Sequence, residues 1–173
     1  MIKIRSGIGY DIHRIIAGNG LYIGGVKISD SLVAEAHSDG DVLIHSLIDA
    51  LLGAMGQPDI GELFPDSDPQ FKGIASLQLL RQVKKILVAN HFEILNIDCV
   101  LIIEDPKISP FKSEIKKNIA ATLQIPQIDF NIKAKTKEKI GAVGRGEALE
   151  CFSTVMIRSL MYLDTVCCAG LNP

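Results

Sequence analysis

Three of the four histidines in this 173-residue chain lie beside acidic residues in its first 45 positions. Asp11-Ile-His13 is one group; Ala36-His-Ser-Asp-Gly-Asp-Val-Leu-Ile-His45 is the other. If the first group is extended, Asp11 and His13 point to one face and Tyr10 and Ile12 to the other, so one strand offers two ligands. After Gly40 the spacing becomes helical, with Leu43, Ile44, Leu47, Ile48, Leu51, Leu52 and Met55 on one stripe, Ser38 or Asp39 as N-cap, and His45 in the second turn. A strand giving Asp and His, and a helix giving His, make three ligands of the kind zinc accepts. The fourth tetrahedral position stays open, which points to catalysis or ligand binding. His37 precedes the helix, where unpaired amides and the dipole favour an anion such as phosphate. The same window also reads as a plain loop and helix cap.

The elements that must hold these residues follow from the patterning. Residues 2–13 alternate as a strand, and Leu21 to Ile28 reads as a hairpin turning at Gly24 and Gly25. The helix carrying His45 runs to about Gly56. Residues 57–69 hold three prolines and no lasting period, which reads as a long loop, either a functional lid or disordered. Helical spacing returns from Ile74 to Leu87, with His91 as a surface residue just beyond. Ile94 to Ile103 reads as a buried strand ending at the polar turn Glu104-Asp-Pro-Lys107, a common place for a ligand. A helix follows, with Pro110 at its first position and its end near Leu123.

From Phe130 to Lys139 an extended chain puts Lys133, Lys135, Lys137 and Lys139 on one face and Ile132, Ala134, Thr136 and Glu138 on the other. Thr136 and Glu138 then continue an inward face, where buried polar groups need partners. Gly141-Ala-Val-Gly-Arg-Gly-Glu147 is glycine-rich but lacks the spacing of either standard nucleotide fingerprint. A last helix is expected over Glu147 to Leu163, burying Phe152, Val155, Met156, Ile157, Leu160, Met161 and Leu163.

The length fits a single domain, expected over residues 1–163 with a loose tail at 164–173. A formal net charge of −2 argues against general nucleic-acid binding, so an anionic ligand must be held by local groups. Hydrophobic residues make up 47% of the chain and aromatics only 5%, an aliphatic surplus that subunit burial would absorb. Cys99, Cys151, Cys167 and Cys168 form no C-x-x-C pair and read as reduced thiols. The expected compartment is the cytosol, without a signal core or a membrane span.

Asp11-Ile-His13, His37-Ser-Asp-Gly-Asp41, His45, Asp59-Ile-Gly61, Phe64-Pro-Asp-Ser-Asp68, Pro106-Lys107 and Gly144-Arg-Gly-Glu147 occur in that order. In this the chain resembles the 2-C-methyl-D-erythritol 2,4-cyclodiphosphate synthase family, from about Ile4 to Leu163. The resemblance implies an α+β, two-layer subunit with a mixed β-sheet covered by helices, and a homotrimer with active sites between neighbours. It also implies a phosphorus-oxygen lyase of non-mevalonate isoprenoid biosynthesis that cyclises 4-diphosphocytidyl-2-C-methyl-D-erythritol 2-phosphate and releases CMP.

By the same resemblance Asp11, His13 and His45 would hold Zn²⁺, Glu138 would bind a second divalent ion, Mg²⁺ or Mn²⁺, and His37 and Thr136 would stabilise the transition state. Asp59, Ile60, Gly61, Phe64, Pro65, Asp66, Ser67 and Asp68 would hold the methylerythritol part. Ser38, Lys107, Lys135, Ala142 and Arg145 would complete substrate binding, with the cytidine pocket around Ile103 to Ser109 supplied by a neighbour. The chain departs from the family pattern at Glu104-Asp105, at Lys135 and Lys137 flanking Thr136, and at Ala142, where an aromatic is frequent. Two rivals remain at this level: a zinc-dependent phosphohydrolase and a non-catalytic trimeric nucleotide or isoprenoid-phosphate sensor.

Overall fold

The computed structural model describes residues 3–65, 67–71 and 73–160. In chain order the elements are β1 (Ile4–Ala17), β2 (Leu21–Ile23), β3 (Val26–Ser29), β4 (Leu32–Glu35), α1 (Val42–Met55), α2 (Ile60–Leu63), α3 (Ser76–Ala89), β5 (Phe92–Ile102), α4 (Lys112–Leu123), β6 (Phe130–Lys135), α5 (Gly141–Gly144) and β7 (Ala148–Ser159). Five strands form one mixed sheet, β4-β1-β7-β5-β6, parallel only between β5 and β6, while β2 and β3 make a separate hairpin. This is the α+β arrangement of a mixed sheet with helices in one domain. No described helix is long and apolar enough to cross a membrane.

The sheet has two different faces. Along β1, Gly7, Gly9, Asp11, His13 and Ile15 turn towards α1, whereas Ile8, Tyr10, Ile12 and Ile16 turn away and stay exposed. The two glycines set the distance to the helix. A Cβ on Gly9 would lie 1.9 Å from the Ser46 carbonyl oxygen, and one on Gly7 2.0 Å from that of Ala50. Only a bare backbone lets α1 lie this close. That approach brings His45 down beside Asp11 and His13, so the packing of the core and the assembly of the site are one event.

Several expectations are corrected. The segment expected as a final helix, Glu147 to Leu163, is instead β7 in the middle of the sheet, paired with β1 and β5. Leu149, Cys151, Ser153, Val155 and Ile157 face inward; Phe152 and Met156 face outward and are also apolar, so alternation is masked and the run imitates a buried helix. Met161, Leu163 and the expected tail with Cys167 and Cys168 lie outside the described residues. Helix α1 is capped by Asp41, which accepts from the Ile44 amide at 3.2 Å, so His45 closes the first turn rather than the second. Asp39 caps a different helix, accepting the Ser76 amide of α3 at 2.8 Å.

Pro110 precedes α4 by two residues and is not its first position. The 57–69 loop contains α2, capped by Asp59 and tied to α1 through the Asp49 carboxylate, which accepts from the Ile60 amide at 2.8 Å. The hairpin at Gly24 and Gly25 stands as expected, both residues having positive φ. Cys99 and Cys151 are free, buried thiols, and burial pushes that of Cys151 up to about 12.

Candidate metal and phosphate site

Asp11, His13 and His45 converge as the strand and helix spacing requires. His13 Nε2 lies 3.0 Å from Asp11 Oδ2, His45 Nδ1 lies 3.1 Å from the same oxygen, and the two ring nitrogens are 3.0 Å apart. The donors fit a metal. Ligand atoms about 2.0–2.1 Å from a tetrahedral zinc stand roughly 3.3 Å from one another, within a few tenths of the observed triangle. Burial acts to raise the Asp11 carboxyl, but hydrogen bonds from His13 and His45 and their charge outweigh it and hold the group well below the usual carboxylate range. Burial acts to lower His45, and the Asp11 hydrogen bond and charge outweigh it in turn, so the imidazole is raised.

The far side of His45 is also engaged. Its Nε2 lies 2.9 Å from Ser76 Oγ and 3.0 Å from Ser38 Oγ, and the Ser76 hydroxyl donates to Asp39. Neither Ser76 nor a link from Asp39 to His45 is visible in the sequence, because the contacts span 31 and 37 residues and belong to no local motif.

A cavity of about 310 Å³ opens beside the donors. Of the residues expected to hold substrate, His37, Ser38, Ile60, Gly61 and Phe64 line it with His13 and His45. Asp59 is exposed and serves α2, accepting from the Glu62 amide at 2.9 Å; Asp68 accepts from the Gln70 amide at 3.0 Å in the next turn. Pro65 and Ser67 belong to the same loop, and Asp66 lies outside the described residues. Phe71, Ile74 and Leu79 also line the cavity and were not singled out by sequence. Phe71 meets Phe64 edge-on at 5.4 Å, a contact only the folded loop creates. The anion seat expected at the start of α1 is not open, since the buried Asp41 carboxylate occupies it and also accepts the Gly25 amide at 2.8 Å.

The other expected residues gather elsewhere. Lys107, Lys135 and Thr136 line a smaller hollow of about 190 Å³ with Ile103, Pro106 and Ser109. Thr136 and Glu138 do not continue an inward face: β6 stops at Lys135, Glu138 is exposed with φ of 52°, and Thr136 Oγ1 donates to Glu138 Oε1 at 2.6 Å. Glu104 organises this turn by accepting the Lys137 and Lys139 amides at 2.8 and 3.2 Å, and these bonds, with the Lys139 ammonium, lower its carboxyl. Ala142 is exposed on α5, and Arg145 makes a two-pronged pair with Glu147, 2.8 Å on each arm.

Within one chain the two clusters do not meet. His13 pairs with Leu149, the next residue Glu150 with Ile102, and Ile102 with Lys135, so both clusters sit at the same end of the sheet. They are three strand spacings apart, about 14 Å.

The YgbB family model matches residues 4–158. The 2-C-methyl-D-erythritol 2,4-cyclodiphosphate synthase of Caldicellulosiruptor bescii is 48% identical over 157 residues, covering 91% of this chain and 99% of that protein. Among solved structures, the bifunctional IspDF from Campylobacter jejuni superposes with a TM-score of 0.89 at 41% identity, covering 92% of this chain and 43% of that one. The Plasmodium falciparum IspF in complex with CDP gives 0.80 at 38%, covering 90% and 96%.

Proposed function

The chain belongs to the YgbB family, and on that premise we propose that it catalyses the cyclodiphosphate-synthase reaction. It converts 4-diphosphocytidyl-2-C-methyl-D-erythritol 2-phosphate to 2-C-methyl-D-erythritol 2,4-cyclodiphosphate and CMP, a step towards isoprenoid precursors. An oxygen of the 2-phosphate bonds to the β-phosphorus. The bond from that phosphorus to the oxygen bridging to the α-phosphorus breaks, and its electron pair leaves with CMP. A phosphate monoester carries roughly 1.5 to 2 negative charges at pH 7, so the nucleophile is already ionised and needs no general base. The barrier lies in bringing anions together: two unit charges ~4 Å apart repel by about 4 kcal/mol at an effective dielectric near 20.

The observation carrying this reading is the triangle of donor atoms from Asp11, His13 and His45 beside an open cavity that His37 lines. Asp11, His13 and His45 would hold zinc and Glu138 would hold Mg²⁺ or Mn²⁺; bound there, such ions would neutralise the transferring group and polarise it. His37 holds a phosphate oxygen at the cavity wall, and Ser38, Ile60, Gly61 and Phe64 with the 64–68 loop orient the methylerythritol part. In-line placement of the two reacting phosphates is what these contacts contribute.

Lys107, Lys135 and Thr136, with the 103–109 turn, are assigned to the cytidine diphosphate end, Thr136 stabilising the charge that develops as CMP departs. We assign that end to a neighbouring protomer of a homotrimer. Two features support this. The clusters lie about 14 Å apart in one chain, and the sheet face away from the helices exposes Ile4, Ile8, Tyr10, Ile12, Ile16, Phe152 and Met156, with Ile8 70% exposed. A contiguous apolar patch of this kind marks an interaction surface. Cytosolic placement is supported by the free thiols of Cys99 and Cys151.

Incubation with the diphosphocytidyl substrate, with and without a chelator, tests the reading by following CMP and the phosphorus NMR of the product. Zinc-dependent release of CMP with a cyclic diphosphate is expected. A linear phosphate product would mean hydrolysis, and binding without CMP release would mean a sensor; either overturns it.

A further inference from the structure

We infer that Ser76 and Asp39 are positioning residues of the metal centre, a hydroxyl and a carboxylate in series that fix the proton of His45 on Nε2 and leave Nδ1 bare towards Asp11 and His13. The inference rests on the metal role of His45 proposed above.

The argument is one of proton counting. Asp39 has only acceptor oxygens: Oδ2 takes the Ser76 amide at 2.8 Å, and Oδ1 takes the Ser76 hydroxyl. Ser76 has one hydroxyl proton and has given it to Asp39. Its oxygen, 2.9 Å from His45 Nε2, therefore accepts, so Nε2 is the nitrogen that carries hydrogen. Ser38 Oγ, 3.0 Å from the same nitrogen, is a second acceptor for that hydrogen. In the neutral imidazole, the form that binds a metal, the other nitrogen is then a bare lone pair; in the imidazolium that Asp11 favours, Nδ1 carries the proton donated to Asp11, and a metal displaces that one. Nδ1 is the atom that meets Asp11 Oδ2 and His13 Nε2.

Without this arrangement the opposite tautomer is available, with Nδ1–H donating to Asp11 across 3.1 Å. It satisfies the hydrogen bonds of the protein and blocks the metal. Partners behind a ligating histidine typically change metal affinity by about 10- to 100-fold. Ser76 is fully buried, so water does not replace it easily.

Asp39→Asn separates this role from mere packing, because it is nearly isosteric. The introduced amide must keep its oxygen on the Ser76 backbone N–H at 2.8 Å, since the competing amide of Asp41 reaches Oδ1 at only 3.3 Å. Its NH₂ then points at Ser76 Oγ, the hydroxyl proton turns to His45 Nε2, and the imidazole proton is driven to Nδ1. Ser76→Ala removes the acceptor but leaves Ser38.

The test uses full-length wild-type, Asp39→Asn and Ser76→Ala protein. Nitrogen-15 NMR of the metal-free forms reads the His45 tautomer, and competition with a chromophoric chelator reads zinc affinity. Expected, at a pH where the His45 imidazole is neutral, are an Nε2–H signature in wild type, an Nδ1–H signature in Asp39→Asn, and zinc Kd raised by about 100-fold in Asp39→Asn and about 10-fold in Ser76→Ala. CMP release in both variants should recover at excess zinc with KM unchanged. An unaltered tautomer and zinc Kd in Asp39→Asn, with the fold intact by circular dichroism, overturns the inference. Failure of the metal role itself is distinguishable, since wild type would then bind no zinc whatever its tautomer.

Discussion

The candidate metal half of the site and the half proposed to hold the nucleotide are built by opposite means. Around Asp11, His13 and His45 the ligands are partly or fully buried, backed by Ser38, Ser76 and Asp39, and seated where two glycines let a helix touch a strand. The half proposed to hold the nucleotide is a small hollow on the turns after β5 and β6, where Thr136, Glu138, Lys137 and Lys139 bond to one another or to Glu104. In the proposed reading the first is finished within one chain, and the second serves a neighbour. On that reading preorganisation lies where charge must be held, and recognition of a larger, replaceable leaving group falls to an interface.

The sharpest way to break this contrast is to delete the metal half alone. His45→Ala should abolish stoichiometric zinc and lower CMP release by at least about a thousand-fold, because a bound ion supplies several kcal/mol of charge stabilisation. Metal analysis and turnover check this while circular dichroism stays unchanged. Retained stoichiometric zinc with normal turnover would remove His45 from the ligand set.

The next largest effect should come from the proposed interface. Ile8→Lys places an ammonium on the exposed apolar sheet face, and burying it unpaired costs several kcal/mol. The variant should sediment as a monomer and bind zinc as wild type does, yet release CMP at least about 100-fold more slowly, since misplaced reacting groups alone can cost that much. Normal turnover by a monomer would mean that one chain holds both halves.

The two halves also differ in how far the sequence reveals them. An i, i+2 pair on a strand and a histidine at a helix start are local patterns, so the three candidate ligands could be picked out from spacing. Their support could not: Ser76 sits 31 residues from His45, and Gly7 and Gly9 look like ordinary strand glycines until a helix is seen against them. The strand Ala148–Ser159 misled because Phe152 and Met156 add apolar residues of the exposed patch to its outward face, which blurs the period of two. The turn after Lys135 misled because alternation was carried past the point where Glu138 and Lys139 leave the extended region.

A smaller lever tests the glycine seat. Gly9→Ala puts a methyl carbon 1.9 Å from the Ser46 carbonyl oxygen, backbone that cannot turn aside. Overpacking of this kind should cost about 3 kcal/mol or more and move α1, weakening zinc binding before the fold is lost. Denaturant midpoint and zinc Kd measured on one sample check it. A loss of stability with zinc affinity intact would uncouple the helix seat from the metal half.

The smallest effect distinguishes the halves by pH. In the nucleotide half Glu104 is lowered by its backbone hydrogen bonds, and Asp11 is lowered by its histidines, so both contribute stability above their unfolded values and lose it as pH falls below about 4. Asp41 has the opposite sign. Burial raises it to about 6 against 3.8 for an ordinary aspartate, despite hydrogen bonds from Gly25 and Gly24. The folded protein therefore binds this proton more tightly than the unfolded chain. The associated stability is full below pH 4 and is lost as pH rises through 6, a change of about 3 kcal/mol. Metal-free wild type should thus gain in Tm relative to Asp41→Asn as pH is lowered from 6.5 to about 4.5. Parallel Tm profiles for the two proteins across that window would show that the Asp41 cap carries no proton of its own, leaving both halves with the same acid sensitivity.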